Sequence, residues 1–228
     1  KMDVTPKKWT TKKIASIALM AVAFLMLNLS WIKVDSDMLD EIDEMRDELE
    51  EDLEFMEEEY DDIDEYLDEM GFSKKEIKAA KKALNATEEM VDALGEGKYS
   101  VWTVVTLFKF SNKADILFED EDSFWYDSDM MEIMGYLKIM FGIIIGVFAL
   151  TGLLMILAIV SHIKDKRGLG IPAVFFSVVL LLVAAFLHIG MTEGTGGNGG
   201  ITAAPVLTTV SAIASCIAWA GARKQIAK

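Results

Sequence analysis

Between residues 34 and 70, apolar side chains recur at steps of three and four through an acidic stretch, VDSDMLDEIDEMRDELEEDLEFMEEEYDDIDEYLDEM. Met38, Ile42, Met45, Leu49, Leu53, Met56, Tyr60, Ile63, Leu67 and Met70 all fall on one helix face. Charge without such a stripe reads as disorder. Charge with it reads as a long helix that packs on something. A second stripe follows: Ile77, Ala80, Leu84, Thr87, Val91 and Leu94. Between the two, Gly71 suits a C-cap and Ser73-Lys74-Lys75-Glu76 matches a capping box. Gly95 and Gly97 close the second helix. So short a turn predicts an antiparallel hairpin. It would set Lys74, Lys75, Lys78, Lys81 and Lys82 beside 60–69, the acidic distal end of the first helix.

Four continuous apolar runs have the length a bilayer demands, about 20 residues. They cover 14–32, 133–160, 171–191 and 201–221. The second exceeds that length, so it tilts or extends beyond the lipid. The first has a basic front but no small-residue cleavage site after it, and reads as a retained helix. No Gly or Pro interrupts 32–70, which lets one helix run straight out of the membrane; 34–70 alone would measure about 55 Å. Residues 98–110, KYSVWTVVTLFKF, suit a strand by propensity. A short helix capped at Ser100 on the outer membrane surface is preferred, because the chain must return to the bilayer there. Residues 111–132 read as a loop or short helix.

Charge orients the spans. Residues 34–132 carry 34 acids and nine bases, a net of −25, while the rest of the chain nets +10. Lys1, Lys7, Lys8, Lys12 and Lys13, then Lys164, Lys166 and Arg167, then Arg223, Lys224 and Lys228 fall on one side of a four-span layout. The positive-inside rule puts that side in the cytoplasm. The domain plan is a basic tail (1–13), helix one (14–32), an acidic outer domain (33–132), helix two (133–160), an inner loop (161–170), helix three (171–191), a Gly-rich outer loop (192–200), helix four (201–221) and a cytoplasmic tail (222–228). The expected fold is thus an all-α, multi-pass plasma-membrane protein with an extracytoplasmic antiparallel helical hairpin between helices 1 and 2. Cys216 is the single cysteine and lies in an apolar run. Its isolation excludes an internal disulfide and points to a bacterial protein rather than a secreted eukaryotic domain.

Candidate chemistry is sparse. The acidic helix has three readings: a solvated face, a docking surface for a basic partner, and a cation site. A straight helix splays its carboxylates, so convergent calcium ligation is poor there. Asp115, Glu119, Asp120, Glu121, Asp122, Asp127 and Asp129 form a better calcium candidate in a loop, without EF-hand spacing. No metal or cofactor is assigned. The docking reading centres on Glu50, Glu54, Glu57 and Glu58, where acids most outnumber any available lysine. Gly142 and Gly146 make a small-xxx-small motif for helix packing, with homo-oligomerisation as the sharper alternative. Ala204, Thr208, Ala212, Ser215, Cys216 and Ala220 give the fourth run a small-residue face. His162 and His188 have no second ligand at zinc spacing. Lys138, His188 and Asn28 lie near span ends and no acid lies deep in a span, which argues against an ion pathway. Walker loops, nucleophile elbows and H-E-x-x-H are missing, so no enzyme is expected. An outer domain of this charge excludes nucleic acid.

Two known arrangements are similar in layout. Claudin-like four-span proteins also place a large outer segment between spans one and two, but their outer W…GLW…C…C signature has no counterpart in 34–132. The permeases of FtsX- or MacB-like ABC transporters resemble this chain in a large domain carried on helices leaving the membrane after span one. Both resemblances concern topology and carry no functional residue across. The expectation is a non-catalytic membrane protein offering an acidic helical ectodomain for extracellular interaction, adhesion or signalling, or scaffolding a membrane complex. The alternative is an accessory or permease-type transporter subunit, against which the short 161–170 loop counts. The expected partners are the bilayer, a basic outer protein and a second copy.

Overall fold

A computed structural model describes residues 9–34, 36–59, 67–118, 128–166, 169–195 and 200–226, with the side chains of 38, 49–50, 52–59, 115–118, 190–195 and 224–226 left aside. The protein is mostly helical. In chain order the elements are α1 (Thr11–Leu27), β1 (Ile32–Lys33), α2 (Ser36–Glu59), α3 (Lys74–Gly95), β2 (Lys98–Tyr99), α4 (Val101–Phe118), α5 (Ser128–Ile163), α6 (Gly170–Thr195), β3 (Gly200–Ile201) and α7 (Ala203–Ile226). Among the described residues, three helices are long and apolar enough to cross a membrane: α5, α6 over Gly170–Ile189 and α7 over Ala203–Arg223. The fold divides into two units, one holding 1–31, 146–189 and 201–228, the other 32–145 and 190–200.

In the first unit, α1 and α7 form an extensive helix pair. Lys13, Ser16, Met20, Ala23 and Leu27 are the buried face of α1, and Ala204, Thr208, Ala212, Ser215, Trp219 and Ala222 are buried along α7. Small side chains on α7 let the two backbones approach closely. Gly152 of α5 lies against Phe24 and Leu27. The start of α7 is tied to the end of α1: the Thr202 amide donates to Trp31 O at 2.9 Å and its hydroxyl donates to Ser30 O.

Helix α1 does not continue into the acidic helix. It stops at Leu27, inside the expected 14–32 span, and 17 residues cover about 25 Å. The stop lies in side chains. Asn28 Nδ2 donates to Phe24 O at 3.0 Å, and Trp31 Nε1 donates to Leu27 O at 3.1 Å. Those are carbonyls that the last turn leaves open. Ile32 and Lys33 then pair antiparallel with Tyr99 and Lys98. The break from 28 to 34 therefore needs no Gly or Pro.

In the second unit, α3 is the central helix. Its capping box forms as the spacing predicts: Ser73 Oγ accepts from the Glu76 amide at 3.3 Å, and Glu76 Oε2 accepts from the Ser73 amide at 2.7 Å. Gly71 takes φ +87° and the Phe72 amide reaches back to Leu67 O at 3.0 Å, a Schellman closure. The outcome departs from the expected pairing in one respect. Among the described residues, α4 packs along α3 more extensively than α2 does. The buried side of α3 is accordingly Ile77, Ala83, Ala86 and Val91, while Ala80, Leu84, Thr87 and Leu94 are half-buried. A helix wedged between two neighbours buries the strip facing both, and the small Ala83 and Ala86 admit a close one. Residues 98–110 resolve into a two-residue strand and a helix, and that helix runs on to Phe118. Gly200 of β3 completes the sheet order β2-β1-β3. The expected contacts of the α3 lysines with 60–69 fall mainly outside the described residues.

Candidate functional site

Two places gather charged or polar groups. The first is the proximal half of α2. Asp37, Asp40, Glu41, Asp43, Glu44, Asp47, Glu48 and Glu51 are all exposed, and Ile42 is the buried residue among them. Its contacts run in opposite directions along the two helices. Leu39 lies against Gly97, 3.0 Å from where a Cβ would stand, and the Arg46 guanidinium covers Gly95. Arg46 Nε is 3.8 Å from Asp92 Oδ1, and Nη1 is 3.0 Å from Asp43 Oδ1. Arg46 is the one basic residue in 34–70, and it is spent on this seam. The outward acids have no cation of their own helix left to screen them. Gly97 is required twice: it holds φ +63°, and a Cβ there would crowd Leu39; its carbonyl accepts the Val34 amide at 3.1 Å.

Glu50, Glu54, Glu57 and Glu58 continue the same helix, and their side chains lie outside the described ones. Gly142 and Gly146 part company. A Cβ on Gly142 would sit 3.7 Å from the Phe108 ring, whereas one on Gly146 meets nothing within 4 Å. Asp115 belongs to α4 and Asp129 to the first turn of α5; the acids at 119–122 and 127 lie outside the described residues. Among the described residues no three His, Cys, Asp or Glu side chains could share a metal. Tyr99 of β2 is buried, its hydroxyl finds no partner among the described residues, and burial pushes its phenol pKa up.

The second place was missed in the sequence. Lys13 has 0% side-chain exposure, yet its ammonium bonds Asp165 Oδ1 at 2.7 Å and Ile163 O at 3.2 Å. It also lies 4.9 Å from the Trp9 ring centroid. One turn along α1, Ser16 Oγ is 2.6 Å from His162 Nδ1, and Ser215 Oγ donates to Ser16 O at 2.6 Å. Trp219 stacks on the imidazole with centroids 4.4 Å apart. Cys216 Sγ presses on Gly170, where a Cβ would stand only 2.7 Å away. A Ser–His pair with a nearby acid invites comparison with a hydrolase triad. The geometry differs: the acid serves Lys13 rather than the imidazole, and the Ser16 hydroxyl is buried. The arrangement ties α1, α5 and α7 together. Its signal in the sequence is register, since Lys13 and Ser16 share the 13-16-20-23-27 stripe with Met20, Ala23 and Leu27.

Asp165 shows what this tie demands. It holds φ +56° at the end of α5, where the Lys166 amide donates to Ser161 O at 3.0 Å. Glycine or asparagine is the usual occupant of that left-handed position. A carboxylate stands there because a buried ammonium without a counter-charge would cost far more than the backbone strain. Compared with family models, with curated proteins and with solved structures, the chain matches none.

Proposed function

We propose that the chain is a non-catalytic four-span membrane protein with cytoplasmic termini, holding an acidic helical hairpin outside the membrane as a docking surface for a basic protein. The observation that carries this is the outward face of α2 between Asp37 and Glu51, eight exposed carboxylates backed by one arginine already engaged at the seam. The hairpin reading draws on the contacts of Leu39 and Arg46, which descend along α3 as they climb α2. The fourth span is α1: it is shorter than the other three, but its extensive pairing with α7, itself long and apolar enough to cross, favours the same slab for both. Eight like charges on one helix face repel one another and cost stability. A partner with a basic patch relieves that repulsion, and long-range attraction speeds its encounter at low salt.

The test uses the full chain in native membranes. Glu44, Glu48 and Glu51 to Lys, with or without Glu50, Glu54, Glu57 and Glu58 to Lys, should abolish recovery of a crosslinked partner and flatten the salt dependence of its association rate. Equal recovery from the reversed and native proteins, at equal helix content, would leave α2 a solvated face and end this reading.

A further inference from the structure

Within the second unit, α4 combines exposed tryptophan and lysine on a face that carries no acid. From 98 to 114 the chain carries Lys98, Lys109 and Lys113 and no acid, in a region of net −25. Helix α4 supplies most of this stretch. Thr103, Ser111 and Ala114 are buried on one side of it. At 100° per residue, Trp102, Val105, Thr106, Lys109, Asn112 and Lys113 share the other side. Trp102 is 61% exposed, and Lys109 is exposed as well.

Two contacts place this face within the second unit. Just before α4, Tyr99 pairs with Ile32. At mid-helix, the Phe108 ring lies where it would touch a Cβ on Gly142. Gly142 sits in the apolar part of α5 between Ile139 and Ile143, which are 64% and 61% exposed. Isoleucines that open on a helix fit to cross a membrane face lipid. Lipid therefore reaches the level of α4. Tryptophan beside lysine suits the boundary layer, where the indole lies between hydrocarbon and water while the lysine stem follows apolar surface and its ammonium meets phosphate. The acids of α2 would repel an anionic bilayer, whereas this face attracts one.

We propose that the Trp102–Lys109 face of α4 binds the headgroup layer of the leaflet that α4 meets, with anionic phospholipid held at Lys98 and Lys109. The proposal rests on α5 crossing the membrane and is independent of the docking role of α2.

Nitroxide labels on single cysteines test it, in the full chain carrying Cys216→Ala, within vesicles of phosphatidylcholine and phosphatidylglycerol. Labels replacing Trp102 and Val105 should collide more often with oxygen than with a water-soluble nickel chelate, as should one replacing Ile143, while one replacing Glu48 should show the reverse. In Lys98→Glu/Lys109→Glu the label at Val105 should lose its oxygen preference with phosphatidylglycerol present. Chelate preference at Trp102 and Val105 would place the face in water and overturn the proposal. Low collision with both reagents would show a protein covering it, with the same consequence. A chelate-exposed Ile143 would remove the premise about α5, and an unchanged Val105 label in the double variant would remove the anionic-lipid claim. None of these results alters the partner-recovery test of α2.

Discussion

At the scale of single residues, the buried charge of Lys13 dictates its surroundings. Removing one partner of a buried pair leaves an uncompensated charge, a cost of about 3–5 kcal/mol when both are enclosed. Asp165 is 30% exposed, so water can partly replace it; about 1–3 kcal/mol is expected for Asp165→Ala after that discount. Asp165→Gly should lose less than Asp165→Ala, because glycine relieves φ +56°, a difference of about 1 kcal/mol. Thermal unfolding in detergent ranks the two, and equal losses would mean that the left-handed position carries no strain. Tyr99 offers the opposite sign. Its buried hydroxyl has no partner among the described residues, so Tyr99→Phe removes an unmet polar group and should leave stability unchanged or raise it by up to about 1 kcal/mol. A clear drop in melting temperature would reveal a partner for that hydroxyl.

At the scale of elements, helices α2 and α3 were legible in outline and shifted in detail. The Gly71/Ser73 punctuation is readable because capping is local: the groups that bond are three residues apart. The identity of the principal neighbour of α3 is not local. The stripe through Leu84 anticipates one partner, whereas α4 supplies a second and turns the buried side toward Ala83 and Ala86. Ala86→Asp should therefore unfold this helix pair more readily than Leu84→Asp, since it forces a carboxylate into a place with no water and no counter-charge. Glu48→Lys on the exposed side should do little. Helix content of the full chain against urea decides; if Leu84→Asp were the more damaging, the seam would lie where the stripe alone puts it. Gly97→Ala should cost about 1–2 kcal/mol through its positive φ and the crowding by Leu39, and Gly71→Ala less, because its Cβ would meet nothing within 4 Å.

At the scale of the whole molecule, the prediction concerns sidedness. In the proposed four-span layout, three basic clusters fall on one side and the net −25 of 34–132 on the other, which sets its direction. A membrane-impermeant thiol reagent applied to intact cells should modify Glu58→Cys and Asn198→Cys, and should spare Lys166→Cys, all in a Cys216→Ala chain. Modification at 166 would overturn the proposed four-span layout. α5 runs through both units, 128–145 in one and 146–163 in the other, which gives a helix of 36 residues a use for its length beyond the roughly 20 that a bilayer needs.

Composition and periodicity by themselves determined the helical class, the three long apolar helices, the acidic character of α2 and the capping of α3. These properties depend on residues near one another in the chain, or on burial in lipid that any apolar run of sufficient length will seek. Only the tertiary structure decided where α1 ends, that among the described residues α4 rather than α2 is the main neighbour of α3, and that Lys13, Ser16, His162, Asp165, Ser215 and Trp219 converge. Lys13 and Asp165 are 152 positions apart, and Ser16 and Ser215 are 199 apart. No local pattern relates positions so distant. Lysine near the start of an apolar helix reads as a flank in contact with water until a partner helix closes over it, and the charge then becomes a constraint on the fold.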